Sequence, residues 1–237
     1  MKILNLILLM AFVNGLVASD SLQHRIYLLP GQGSDKRIFN KLNFEGFDTV
    51  NLVYLIPEKN ETMEQYAGRI LEQVDTTGFY SFIGVSLGGM ISVEMAKKCH
   101  PEHVIIISSA QTMYELPQKY RIMKKVPFNR LFSGRAIKIL GLVVQPIIEP
   151  DSWRERATFK SMMKGKDPLL LERGVNMIIH WGNTTADPHI VHIHGTRDHT
   201  IPIRWVDNPV VVKNGSHMMT LTRSNPINEI LGKVLNK

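Results

Sequence analysis

Three short stretches of the chain carry side chains that together could do nucleophilic chemistry. The first is Gly84-Val85-Ser86-Leu87-Gly88-Gly89. It follows a run of strand composition and opens a run of helical composition, so Ser86 sits in a G-x-S-x-G strand-to-helix turn. In such a turn the serine tops a strained bend. The residues two before and two after it come so close that only small side chains fit. The helix that follows points its unpaired N–H groups at the serine, where an oxyanion would develop. The second stretch is His194-Gly195-Thr196-Arg197-Asp198-His199-Thr200-Ile201-Pro202. A strand ends, Gly195 turns the chain, and Asp198 lies just beyond, where an acid can orient an imidazole. The third is Asn214-Gly215-Ser216-His217-Met218-Met219, whose Asn-Gly pair gives a tight turn that projects His217 back over the strand ends. His217 would take the Ser86 proton and later return it to a leaving group. A fourth stretch, Leu29-Pro30-Gly31-Gln32-Gly33-Ser34, follows the first strand. The backbone N–H groups of Gln32 and Leu87 are the expected pair of oxyanion donors.

The elements that must hold these loops are read from apolar patterning. Strands are predicted at 25–29, 49–55, 80–85, 103–108, 189–194 and 208–213. Helices are predicted at 62–75, capped by Thr62, and at 87–99 and 225–235. Strands separated by helices imply right-handed crossovers and a parallel sheet covered on both faces. Between 112 and 188 lie 77 residues without a strand signal. Structureless connections of that length are rare in compact domains. Helical runs at 118–125, 133–144, 153–164 and 168–181, punctuated by prolines, mark a helical insertion.

The chain resembles the α/β-hydrolase superfamily. The residues that carry the resemblance are PGQG at 30–33, GVSLGG at 84–89, HGTRDHTIP at 194–202 and NGSHMM at 214–219. The chain order Ser86, Asp198, His217 agrees with that fold. The resemblance covers nearly all of the chain from Arg25 onwards. It implies an α/β fold: a mainly parallel six-stranded sheet flanked by helices, with a helical cap. The core would comprise 20–111 and 189–237, and the cap 112–188. It also implies Ser86 as nucleophile, His217 as base, Asp198 as acid, and Gln32 and Leu87 at the oxyanion hole. Two features depart from the common pattern. Pro30 stands where many members have His, and the N-terminal antiparallel hairpin is missing. The activity implied is hydrolysis of a small-molecule ester or thioester through an acyl-enzyme, with no cofactor and no metal. Two other readings stay open: a non-catalytic ligand binder on the same scaffold, and a cofactor-free lyase or haloperoxidase-like enzyme.

Composition narrows the partners. The chain has 237 residues, 44% of them hydrophobic and 21% charged, which fits a globular protein and excludes a disordered one. Of its net charge of +7, the insertion holds +6, with 13 Lys and Arg against 7 Asp and Glu. A solvated helical face accounts for such a surplus; contact with an anionic membrane surface is the functional alternative. No aromatic-interleaved basic cluster points to nucleic acid. G-x-G-x-x-G is absent at the first loop, because position 36 is Lys36, which argues against dinucleotide binding. The lone Cys99 excludes an intramolecular disulfide and is expected to be buried. His192 and His194 share a strand face, with His199 nearby. They are read as structural rather than as metal ligands. Met162, Met163, Met177, Met218 and Met219 are expected either in the core or around a substrate pocket, and Trp153 and Trp181 as substrate contacts.

The N-terminus starts Met1-Lys2 and continues through an apolar run from Ile3 to Val13, then Gly15, Ala18 and Ser19. This reads as a secretory signal peptide over 1–19, and the run is short for a membrane span. A secreted or periplasmic location is expected, with an uncleaved membrane anchor as the alternative.

Overall fold

The computed structural model describes residues 24–125, 133–148 and 152–236. The expected signal segment at 1–19 lies outside the described residues. The described chain forms one six-stranded sheet of order β2-β1-β3-β4-β5-β6, with every neighbouring pair parallel. The strands are β1 (Arg25–Leu29), β2 (Asp48–Asn51), β3 (Tyr80–Val85), β4 (His103–Ile107), β5 (Val191–Gly195) and β6 (Val210–Val212). The central strands are almost uniformly apolar because both faces of the sheet are covered. Alternation then sorts their side chains. Tyr27, Leu29 and Phe82 pack on one face with Tyr66, Met90 and Ile91. Ile26, Leu28, Ile83, Ile105 and Ile193 pack on the other with Ile227 and Leu231.

Helix α1 (Met63–Leu71) and helix α2 (Leu87–Ala96) cover the first face. Helix α1 opens with a capping box in which the Thr62 side chain accepts the Gln65 N–H and the Gln65 side chain accepts the Thr62 N–H. Helix α7 (Met219–Thr222) and helix α8 (Ser224–Leu235) close the second face. The two edge strands are shorter than expected. β2 pairs only with β1, so once past Leu52 the chain is free to leave the sheet. β6 pairs only with Ile193–Gly195. Helices α1 and α2 also stop before 75 and 99, each C-cap N–H turning back to a carbonyl two residues earlier.

Four helices lie between β4 and β5: α3 (Gln118–Lys125), α4 (Gly134–Ile148), α5 (Trp153–Lys164) and α6 (Pro168–His180). Asp167 caps α6 by accepting the N–H groups of Leu169 and Leu170, and Pro168 at the first helical position needs no N–H partner. Contacts tie this group to the loops at the C-terminal end of the sheet. Arg37 donates to the Ser161 hydroxyl at 2.8 Å, and Lys41 pairs with Glu155 at 3.2 Å. Trp181 is not a substrate contact: it is 3% exposed, and its indole N–H donates at 2.7 Å to Glu94, a buried carboxylate also held by Lys97. Trp153 stands in solvent. Met162, Met163, Met177, Met218 and Met219 are all buried; Met177 packs on the first face and Met162, Met218 and Met219 on the second. Cys99 is half-buried rather than buried, its thiol donating to the Met95 carbonyl.

Candidate active site

The strand order explains where a site can form. The chain runs from β1 outwards to β2, then restarts at β3 on the other side of β1 and proceeds to β6. The loops after β1 and β3 therefore diverge, leaving a crevice at the carboxyl edge between two adjacent strands. The Gln32 loop and the Ser86 turn stand at this point. A Cβ added to Gly31 would lie 3.1 Å from the Ser86 Cβ, so the two loops are in contact.

The bend at Ser86 is strained in the way its spacing predicts. Ser86 has φ 53° and ψ −120°, a conformation rare for a residue with a side chain. A Cβ on Gly84 would lie 2.4 Å from the Gly88 carbonyl oxygen. One on Gly88 would lie 2.0 Å from the Leu29 carbonyl oxygen, and one on Gly89 2.4 Å from the Ser109 hydroxyl. All three glycines are therefore steric requirements. The bend is secured by hydrogen bonds: the Ser86 N–H donates to Ile107, and the Ser86 carbonyl accepts from Gly89, Met90 and the Ser109 hydroxyl.

The other two loops are drawn together by a second pair of glycines. A Cβ on Gly195 would lie 2.2 Å from the Gly215 carbonyl oxygen. The Arg197 N–H donates to that same carbonyl, and the Asn214 N–H donates to the Thr196 hydroxyl. Asn214 takes φ 58°, the left-handed conformation expected of the Asn-Gly turn. The close approach sets Asp198 and His217 side by side.

The three side chains form one line. Ser86 Oγ lies 3.0 Å from His217 Nε2, and His217 Nδ1 lies 2.8 Å from Asp198 Oδ2. An ionised carboxylate only accepts, so Nδ1 carries the hydrogen and the lone pair of Nε2 faces the serine. Asp198 is 3% exposed, and its other oxygen accepts from the N–H groups of Thr200 and Ile201 at 3.0 and 2.8 Å. Burial by itself would push this carboxyl up. The charge and hydrogen bond of His217 outweigh that and hold it below the ordinary carboxylate range.

The two expected oxyanion donors border the serine. Leu87 is the first residue of α2, and Gln32 sits in a turn closed by the Ser34 N–H and hydroxyl on the Gly31 carbonyl. Neither backbone N–H has a protein acceptor among the described residues. The Gln32 side chain instead turns outwards, donating to the Leu171 carbonyl of α6 at 2.7 Å. Gly174 makes room for it, since a Cβ there would lie 2.4 Å from Gln32 Oε1. Three contributors were not picked out from the sequence. Gly174 fixes the Gln32 side chain. Tyr54 donates to the Pro30 carbonyl at 2.6 Å and so braces the same loop. His194 lies 3.4 Å from Asp198. For His194 the available signal was its place just before the Gly195 turn; for Gly174 and Tyr54 no local pattern marks a role.

No protein-family model matches the sequence, and no curated protein matches it. Solved structures do. An enol-lactonase from Burkholderia xenovorans LB400 aligns with TM-score 0.71 at 18% identity, over 91% of this chain and 92% of its own. A hydrolase from Pseudomonas aeruginosa PA01 aligns with TM-score 0.69 at 12% identity, over 92% and 91%. An esterase from Exiguobacterium antarcticum aligns with TM-score 0.66 at 13% identity, over 90% and 92%. The chain has the α/β-hydrolase fold.

Proposed function

We propose that this protein is a serine hydrolase that cleaves carboxylic esters or thioesters. The observation that carries the reading is the unbroken line from Asp198 through His217 to Ser86. Ser86 Oγ attacks the carbonyl carbon while its proton passes to His217 Nε2. The carbonyl oxygen becomes an oxyanion held by the N–H groups of Gln32 and Leu87. His217 then protonates the leaving alcohol or thiol, and the acyl group stays on Ser86. Water, deprotonated by His217, attacks the acyl-enzyme and releases the acid. Asp198 keeps the imidazole in the required tautomer throughout.

Structural neighbours described as an enol-lactonase and as esterases support ester chemistry. Neighbours described as a bromoperoxidase and as MenH keep the alternative chemistries of this fold in view. A panel of aryl and thioester substrates of rising acyl length tests the reading. Turnover lost in Ser86→Ala, with oxygen from labelled water found in the acid product, is the expected result. Ligand binding without turnover would favour the binder, and turnover without incorporated label would favour lyase chemistry.

The reading extends to location. The 112–188 helices act as a cap over the site in a secreted or periplasmic protein, and their basic surface meets an anionic membrane. Exposed Ile122, Ile139, Leu140 and Val143 on α3 and α4 support that contact. The mature N-terminus near Asp20 and co-sedimentation with anionic but not neutral vesicles are the expected outcomes.

A further inference from the structure

Behind the triad a second line of titratable groups runs through the buried edge of the sheet. His192 and His194, on one face of β5, are 3% and 0% exposed. His192 Nε2 lies 3.1 Å from His194 Nδ1, with the rings edge to face at 5.1 Å. His194 Nε2 lies 2.8 Å from the Ile201 carbonyl oxygen and 3.4 Å from Asp198 Oδ2. At the far end, His192 Nδ1 lies 3.9 Å from Glu115 Oε2, and the Ser109 backbone also stands against the His192 ring. Glu115 is 2% exposed and accepts the backbone N–H groups of Gln111 and Asp207.

One carbonyl fixes the proton positions along this line. The Ile201 oxygen can only accept, so His194 Nε2 carries a hydrogen. In a neutral His194, Nδ1 is then a lone pair, and the hydrogen between the rings belongs to His192 Nε2. Burial pushes the Glu115 carboxyl up, against the backbone N–H groups of Gln111, Asp207 and Thr112, and pulls the His192 imidazole down to about 3. The same His194 N–H reaches the triad twice. Its nitrogen lies 3.4 Å from Asp198 Oδ2, the oxygen that also accepts from His217. It also clasps the carbonyl of Ile201, whose own N–H holds Asp198 Oδ1.

We propose that His192 and His194 form a buried two-ring strut from Glu115 to the Asp198 loop, and that His194 is a positioning residue setting the orientation and basicity of the Asp198–His217 pair. This rests on the reading of Ser86, His217 and Asp198 as a working triad. The titratable groups facing the strut are Glu115 from the loop after β4, Asp198 from the loop after β5 and His217 from the loop after β6. Asp207 stands beside Glu115, and Tyr120 of α3 lies near Asp198. Sharing the Asp198 charge with His194 lowers the hold of that carboxylate on the His217 imidazolium. Without the His194 donor, the imidazolium gains and His217 becomes more basic.

The test is the pH profile of ester hydrolysis by the full chain. In His194→Leu the acid limb of kcat/KM should move up by about half a pH unit or more, with a lower plateau. His194→Gln can place an amide N–H where Nε2 stood, and should bring the limb back to the wild-type position. A lowered plateau with an unmoved limb would mean that His194 only fills space, and would overturn the proposal. So would a downward shift. If His194→Leu fails to fold, imidazole nitrogen NMR of the wild-type protein decides. His194 should carry its hydrogen on Nε2 and stay neutral between about pH 5 and 8. A cationic His194 or an Nδ1–H tautomer of that ring would contradict the strut. Failure of the triad reading is told apart, since the wild-type protein would then hydrolyse no ester, whatever the nitrogen spectra give.

Discussion

The two halves of the molecule solve the problem of position in different ways. At the carboxyl edge of the sheet, placement is enforced by contacts that tolerate no extra atom. Gly84 meets Gly88, Gly88 meets Leu29, and Gly195 meets Gly215. Both oxygens of the buried Asp198 are hydrogen-bonded there. The 112–188 helices are attached to the rest of the chain mainly through side chains: Gln32 to Leu171, Arg37 to Ser161, Lys41 to Glu155 and Trp181 to Glu94. They also leave apolar side chains such as Ile139 and Val143 in solvent. The edge is built for one geometry.

This contrast can be broken or sharpened by substitution. The largest effect is expected from Asp198→Asn. An amide can donate to His217 Nδ1, stabilise the wrong tautomer and leave no lone pair for the serine. kcat/KM should fall by about 10³ to 10⁴ with the fold retained, as judged by circular dichroism. Gly88→Ala comes next. Its methyl group would meet the Leu29 carbonyl oxygen, a backbone atom that cannot swing away. A stability loss of about 3 kcal/mol or more is expected in denaturant unfolding. An unchanged midpoint would mean the edge is less tightly fixed than described.

The third effect is a dependence on pH. His192 is neutral in the fold and charges in the unfolded chain, so the unfolded state binds more protons below about pH 6.5. Stability should fall as pH drops from there towards about 4, by up to about 1.4 kcal/mol per unit. Asp198 has a lowered pKa in the fold, so its contribution is present above about pH 3.9 and is lost at more acid pH. Replacing His192 by Gln should flatten the first part of the curve and leave the second. The smallest effect belongs to the cap. Trp181→Phe removes one hydrogen bond while Glu94 keeps Lys97. A cost of about 1 to 2 kcal/mol with kcat nearly unchanged is expected in thermal unfolding and steady-state assays. A collapse of activity would make the cap part of the fixed edge.

The same contrast decides what could be read from the sequence. The elbow, the acid loop and the histidine loop were legible because steric demands at those points admit few residues: glycine two before and two after Ser86, Gly195 and Asn-Gly at the turns. Strand identity followed from apolar runs, and the parallel sheet from the alternation of strands and helices; the strand order was not read. The helices of the insertion were legible as helices, with boundaries close to those observed. Their packing was not. Nothing near Gly174 marks it as the seat of the Gln32 side chain, because its partner is more than a hundred residues away. Trp181 reads as an exposed aromatic of an insertion until Glu94 is placed beneath it. His192 and His194 were read as structural and are buried, but their link to Asp198 depends on how the loop after β5 folds back to Ile201.

The central claim is that Ser86 is an activated nucleophile. The most direct measurement is mass spectrometry of the purified protein after exposure to a fluorophosphonate, with Ser86→Ala in parallel. One adduct per chain, located on the peptide containing Ser86 and absent from the variant, is the predicted result. Well-folded protein that takes up no label, or takes it up equally in the variant, would contradict it.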